Sequence, residues 1–178
     1  MTHYSILILS PISVYREDNA FYAMDLWARD LNTQTAVAAV QLICPVLKCA
    51  DRPGVKLDPR IQAHSDVGLD DNGLAEVVSK VDIVQLPGHT GWTGSRLARR
   101  LLRIAKRLGK PVLLGVSSNR ARTAWLNSSN KIKGGLRRLD IRSCQIWMAI
   151  QCDGVLMAAA PPFWPLQSKY IYGHSKLD

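Results

Sequence analysis

Residues 82–119 read DIVQLPGHTGWTGSRLARRLLRIAKRLGKPVLLGVSSN. A short apolar run, Asp82–Leu86, ends in a turn with Gly88, Gly91 and Gly94 spaced by three. Ser95 then stands where a helix cap belongs, and apolar residues recur at helical spacing as far as Leu108. Gly109 supplies the stop, and Lys110-Pro111 leads into a second apolar run, Pro111–Ser117. Strand, glycine turn, helix, strand is the βαβ unit of a parallel sheet. Nearly continuous apolar strands indicate burial on both faces.

The same alternation extends in both directions. Strands are predicted at Tyr4–Leu9, Val37–Cys44, Ile61–Val67 and Gly154–Ala158. Helices are predicted at Asn19–Leu31, with Asp18 or Asn19 as cap, at Leu74–Val81 and at Leu136–Ile150. Leu136, Leu139, Ser143, Ile146, Trp147 and Ile150 share one side of the last of these. Lys48–Pro59 and Trp125–Gly135 read as loops. The expected fold is a Rossmann-like, three-layer α/β domain over residues 1–160 with a mainly parallel sheet. Residues 161–178 are expected to form an irregular, aromatic tail. There is no internal repeat.

With 178 residues and a hydrophobic fraction of 47%, the chain can bury one sizeable core. Its apolar runs are too short to span a membrane, and Met1–Ser13 lacks the basic start of a signal peptide. The expected location is the cytoplasm. Cys44, Cys49, Cys144 and Cys152 form no CxxC pair and have no histidine at ligand spacing, so buried free thiols are expected and no metal site. No cofactor is predicted.

The net charge of +9 is concentrated. Residues 1–94 carry 7 basic and 11 acidic side chains, whereas residues 95–142 carry 14 basic side chains and a single acid, Asp140. Such a block points to an anionic partner. Arg96, Arg99, Arg103, Lys106 and Arg107 fall on one broad face of the helix, suited to an anionic membrane at the inner face of the plasma membrane. Nucleic acid is disfavoured, because no aromatic residue interleaves with these arginines and no nucleic-acid motif is visible.

Ligands of α/β sheets bind at the carboxyl ends of the strands. The candidate binding residues therefore lie in three turns. The first offers Ser13, Arg16 and Asn19 but lacks GxGxxG, so a dinucleotide fingerprint is absent. The second offers Gly88, Gly91, Trp92, Gly94 and Ser95, with backbone amides and a helix N-terminus for an anion and an indole for a sugar. It ends without GK[ST], which excludes a nucleotide-hydrolysing loop. His89 in that turn is the candidate acid, base or hydrogen-bond donor. The third offers Asn119, with Arg120 or Arg122 facing an acidic ligand. A serine hydrolase is excluded by the lack of GxSxG, and paired-carboxylate chemistry is poorly served by two distant glutamates, Glu17 and Glu76.

The segments AFYAMDLWARDL (20–31), VDIVQLPGH (81–89), SRLARRLLRIAKRLGKPVLLGV (95–116) and CDGVLM (152–157) resemble the N-terminal, acceptor-side domain of GT-B-type glycosyltransferases. The resemblance covers roughly residues 4–160 as a diffuse pattern. It implies half of a truncated or split sugar transferase, inactive until a separate nucleotide-sugar-binding chain joins it. A carbohydrate or lipid-linked acceptor would bind this half. Two other readings stay open: a non-catalytic module for a membrane surface or an anionic ligand, and a small flavodoxin-like protein with its site at the 88–95 turn.

Overall fold

The computed structural model describes residues 4–48, 54–88, 90–116, 120–157 and 170–172. The fold is three-layer α/β, Rossmann-like, with a parallel main sheet. It resolves into two compact units: Met1–Gln85 with Ile104–Lys110, and Leu86–Arg103 with Pro111–Asp178.

The first unit holds strands β1 (Tyr4–Leu9), β4 (Ala38–Cys44) and β7 (Gln62–Ser65), together with most of β8 (Ile83–Pro87). Their order in the main sheet is β8-β1-β4-β7. The pairings are parallel, with Ile6 opposite both Val40 and Ile83. Ile8, Leu31, Val40, Leu42 and Cys44 anchor the core. Each fully buried aliphatic side chain there contributes about 1.5–3 kcal/mol. Helix α1 (Asp25–Gln34) buries Ala28 and Leu31, and α2 (Asp71–Ser79) buries Leu74, Val77 and Val78. The Asp70 carboxylate caps α2 by accepting the Gly73 amide at 2.7 Å. The helix therefore starts earlier than the predicted Leu74.

This unit also contains a second sheet that the sequence analysis missed. Strands β2 (Val14–Glu17), β3 (Ala20–Ala23), β5 (Val46–Leu47) and β6 (Val55–Lys56) pair in the order β5-β2-β3-β6. The helix predicted from Asn19 is thus corrected. Val14, Tyr15, Phe21 and Tyr22 favour a pleated surface, and β2 and β3 form an antiparallel hairpin. Asp18 turns the chain at φ 50°, and Met24, not Asp18 or Asn19, precedes the helix without a side-chain cap. Part of the predicted loop Lys48–Pro59 is strand β6, where Val55 pairs with Ala23.

In the second unit the order is β11-β10-β9-β8, with β9 (Val112–Val116), β10 (Gly154–Met157) and β11 (Tyr170–Tyr172). The pairs β9–β10 and β10–β11 are parallel. Of the predicted tail, the described stretch is β11; the rest lies outside the described residues. Helix α3 (Arg96–Arg107) begins in this unit and ends in the first, closed by Gly109 in the left-handed region at φ 66°.

The predicted loop Trp125–Gly135 is also corrected. Helix α4 (Arg120–Leu126) ends inside it, and α5 (Lys131–Gln151) starts inside it. Asn130 caps α5, its Oδ1 accepting the amides of Ile132 and Lys133 at 3.0 and 3.1 Å. Gly134, which read as a breaker, sits where α4 packs on α5: a β-carbon there would overlap Ser128. The apolar stripe read from the sequence is turned outward. Leu136, Leu139, Ile146 and Ile150 are exposed, while Gly134, Ile141, Cys144, Met148 and Ala149 are buried.

Candidate functional site

Two places in the second unit bring candidate site residues together, the 88–95 turn and the cleft between α4 and α5. Gly88 is buried, and its amide donates to the Gly115 carbonyl at 2.7 Å. The Gln145 side chain donates to the Gly88 carbonyl. Gly91 lies under the carboxylate of Asp140, and a β-carbon at Gly91 would overlap Oδ2 of that acid. Asp140 Oδ1 accepts the Trp92 amide at 3.4 Å. Of the backbone donors that a glycine turn offers to an anion, the Trp92 amide is therefore directed at the protein's own carboxylate, and the Gly88 and Ser95 amides at backbone carbonyls.

Trp92 is held on three sides. Its Nε1 donates to Ser143 Oγ at 2.8 Å, its ring lies 5.5 Å from Trp147, and the Arg99 guanidinium sits 5.2 Å above its face. Arg99 also donates to the Trp92 carbonyl at 2.8 Å. It is half-buried and folded back on the turn, so it leaves the cationic face expected of α3. Arg96, Arg103, Lys106 and Arg107 are exposed.

Ser95 occupies the cap position of α3, its carbonyl accepting the Arg99 amide at 2.9 Å. Its hydroxyl, fully buried, donates to the Trp92 carbonyl at 3.2 Å and meets Cys144 Sγ at 3.1 Å. Since the hydroxyl proton is already committed, the thiol is the donor in the second contact. Gly94 is exposed beside Thr90.

His89 and Asn119 lie outside the described residues. Arg120 opens α4, and its side chain is also outside them. Arg122 is exposed on α4. Ser13, Arg16 and Asn19 belong to the first unit. Because the hairpin displaces the helix, Arg16 and Asn19 sit on β2 and its turn and not at a helix N-terminus. Arg16 Nε donates to the Asp18 carbonyl at 3.4 Å, and its guanidinium lies 6.0 Å from the Phe21 ring centroid. The first turn of α1 carries Asp25, paired with Arg29 at 2.8 Å.

The sequence analysis missed the α4–α5 cleft. It has a volume of about 540 Å³ and is lined by Thr123, Asn127, Ser128, Ser129, Lys133 and Arg137 among others. Hydroxyls, an amide and two cations in one cleft are the groups that hold a phosphate or carboxylate. The signal for Asp140 was present in the sequence: it is the single acid of the basic block.

Electrostatic perturbation is concentrated in the first unit. Burial pushes the Cys44 thiol up to about 11. Burial, reinforced by Lys80, lowers His64. Hydrogen bonds and charge from Arg60 hold Asp58 well below the usual carboxylate range. The free cysteines Cys44, Cys144 and Cys152 are all buried; Cys49 lies outside the described residues. Among the described residues no helix is long and apolar enough to cross a membrane, and no group of three metal-ligating side chains converges.

No protein-family model matches the chain, and no curated protein matches it in sequence. Its fold matches that of solved structures. A short-chain dehydrogenase/reductase from Veillonella parvula DSM 2008 superposes with a TM-score of 0.55 at 10% identity, covering 96% of this chain and 82% of that one. A second structure from that organism, in complex with NADP, gives 0.53 at 12% identity with the same coverage. At such identities the likeness establishes the Rossmann-like fold and nothing about the ligand. The glycosyltransferase resemblance shares that level of fold.

Proposed function

We propose that this protein is a non-catalytic binding module for a phosphate-bearing or otherwise anionic ligand, with its site in the α4–α5 cleft. One observation carries the reading. Between Leu86–Arg103 and Pro111–Met157 the second unit has 11 basic side chains and two acids, Asp140 and Asp153. Both carboxylates accept backbone amides, from Trp92 at 3.4 Å and Val112 at 2.8 Å. An excess of nine positive charges over two acids favours an anionic partner.

The acceptor-side glycosyltransferase reading rests on the fold alone. Sugar transfer requires donors aimed at the departing nucleotide, which the resemblance assigns to a separate nucleotide-sugar-binding chain. An anionic membrane remains a rival partner for Arg96, Arg103, Lys106 and Arg107, but the inward turn of Arg99 narrows that face.

Calorimetric titration with inorganic pyrophosphate tests the proposal. Saturable, salt-sensitive binding that weakens about tenfold or more in Lys133→Ala/Arg137→Ala supports it. Binding unaffected by that double variant, or turnover of a nucleotide sugar by the purified chain, contradicts it.

A further inference from the structure

Helix α5 is apolar on two opposite sides. One side, Gly134, Ile141, Cys144 and Met148, is buried. The other carries Ile132, Leu136, Leu139, Ser143, Ile146 and Ile150, which alternate by four and three residues. Ile132, Leu136 and Leu139 are 78, 63 and 64% exposed, and Ile146 and Ile150 are also exposed. Large aliphatic side chains at this spacing are what a helix presents to another helix.

At about 100° per residue these six positions fall within a stripe about 80° wide and about 27 Å long. A lipid-binding helix exposes a broader apolar face. The borders of the stripe are basic: Lys133 on one side, with Lys131, Arg138 and Arg142 on the other, all exposed. Asp140 also borders it, but its carboxylate is engaged at Gly91 and Trp92. A second copy of the chain would set these cations against one another in either orientation. A partner helix with acidic flanking positions would be attracted by all of them.

We infer that the outer face of α5 is a docking seam for an amphipathic helix of a partner protein, with leucine or isoleucine at heptad spacing and glutamate or aspartate beside them. Apart from Lys133, which borders both, the seam shares no residue with the α4–α5 cleft, so either proposal can fail without the other.

The probe is a fluorescein-labelled three-heptad peptide with leucine seam positions and glutamate flanks. Controls are the same peptide with lysine flanks and a scrambled peptide. Anisotropy with the full chain should show the glutamate peptide binding about tenfold or more tighter than either control. Leu136→Asn/Leu139→Asn should weaken it by a similar factor, with an unchanged circular dichroism spectrum. Lys133→Ala/Arg137→Ala should weaken it less, by removing one flanking cation. Equal binding of all three peptides overturns the proposal. So does a dimer in sedimentation velocity, or adsorption to phosphatidylserine-rich vesicles, that the Leu136→Asn/Leu139→Asn variant abolishes. Failure of a Leu139→Cys variant to react with maleimide in the isolated chain also overturns it, since the seam would already be covered.

Discussion

The carboxylate of Asp140, in the middle of α5, lies directly over Gly91 in the turn after β8. A β-carbon there would occupy the space that the carboxylate holds, so the carboxylate would have to turn aside and release the Trp92 amide. The relationship turns a loop with the composition of an anion cradle into one whose anion is internal. It predicts that Gly91→Ala destabilises the fold by about 1–3 kcal/mol through overpacking. In an Asp140→Ala background the same change should cost much less, because the obstructing group is gone. Urea denaturation of the four proteins in the cycle measures this. Equal costs in both backgrounds would show that the two residues are not in contact.

Arg99 and Arg103 are one helical turn apart on α3 but differ in role. Arg99 lies over the Trp92 indole and bonds the Trp92 carbonyl, whereas Arg103 is exposed. Arg99→Ala should cost about 1–2 kcal/mol of stability, combining a cation–π contact with a charge-assisted hydrogen bond. Arg103→Ala should stay within about 0.5 kcal/mol. Near-ultraviolet circular dichroism should register the first change and not the second, since the indole environment changes only in the first.

His64 is half-buried, 3.3 Å from the Gln41 side-chain oxygen, and its pKa is lowered by burial and by Lys80. The unfolded chain therefore takes up a proton more readily than the folded one, and stability rises with pH. The contribution is complete above the ordinary histidine value of about 6.5 and declines as pH falls from there towards the lower folded value. Thermal unfolding should show a loss on acidification below neutrality, and His64→Gln should flatten that part of the profile. An unchanged profile would show that other groups control it.

Asp58 acts at more acidic pH. Its depressed pKa stabilises the folded state above the usual carboxylate range and ceases to do so as the group is protonated. Arg60→Ala should raise that pKa towards its ordinary value, read by NMR titration of the Asp58 carboxyl carbon. A carboxyl that titrates identically in both proteins would remove Arg60 as the cause.

Strands β1, β4, β8, β9 and β10 were legible because their apolar runs are short, continuous and bounded by glycine or proline, whereas the parallel strand β11 fell in a stretch read as irregular. The stretch from Val14 to Leu31 misled because Ala20, Ala23, Trp27, Ala28 and Leu31 satisfy a helical period while Tyr15, Phe21 and Tyr22 satisfy a strand. Pairing of Ala23 with Val55, thirty-two residues away, decided between them, and such a contact has no local trace. Gly134-Gly135 misled in the opposite sense: the loop they suggest is overridden by the Asn130 cap and the close approach of α4. The apolar period of α5 was read correctly, but periodicity reports only that a face is apolar, not which of two apolar faces meets the core. At the candidate site, the glycine spacing was read as room for an anion to approach the backbone. Composition could not say that the approaching anion comes from Asp140, 49 residues further along the chain.

The most direct test of the account is an amide proton–nitrogen NMR map of the full chain titrated with inorganic pyrophosphate. The account predicts saturable shifts at Ser128, Ser129, Lys133 and Arg137, with Gly91 and Trp92 unmoved because Asp140 occupies that turn. Shifts centred on Gly91 and Trp92, with α4 and α5 silent, would contradict it.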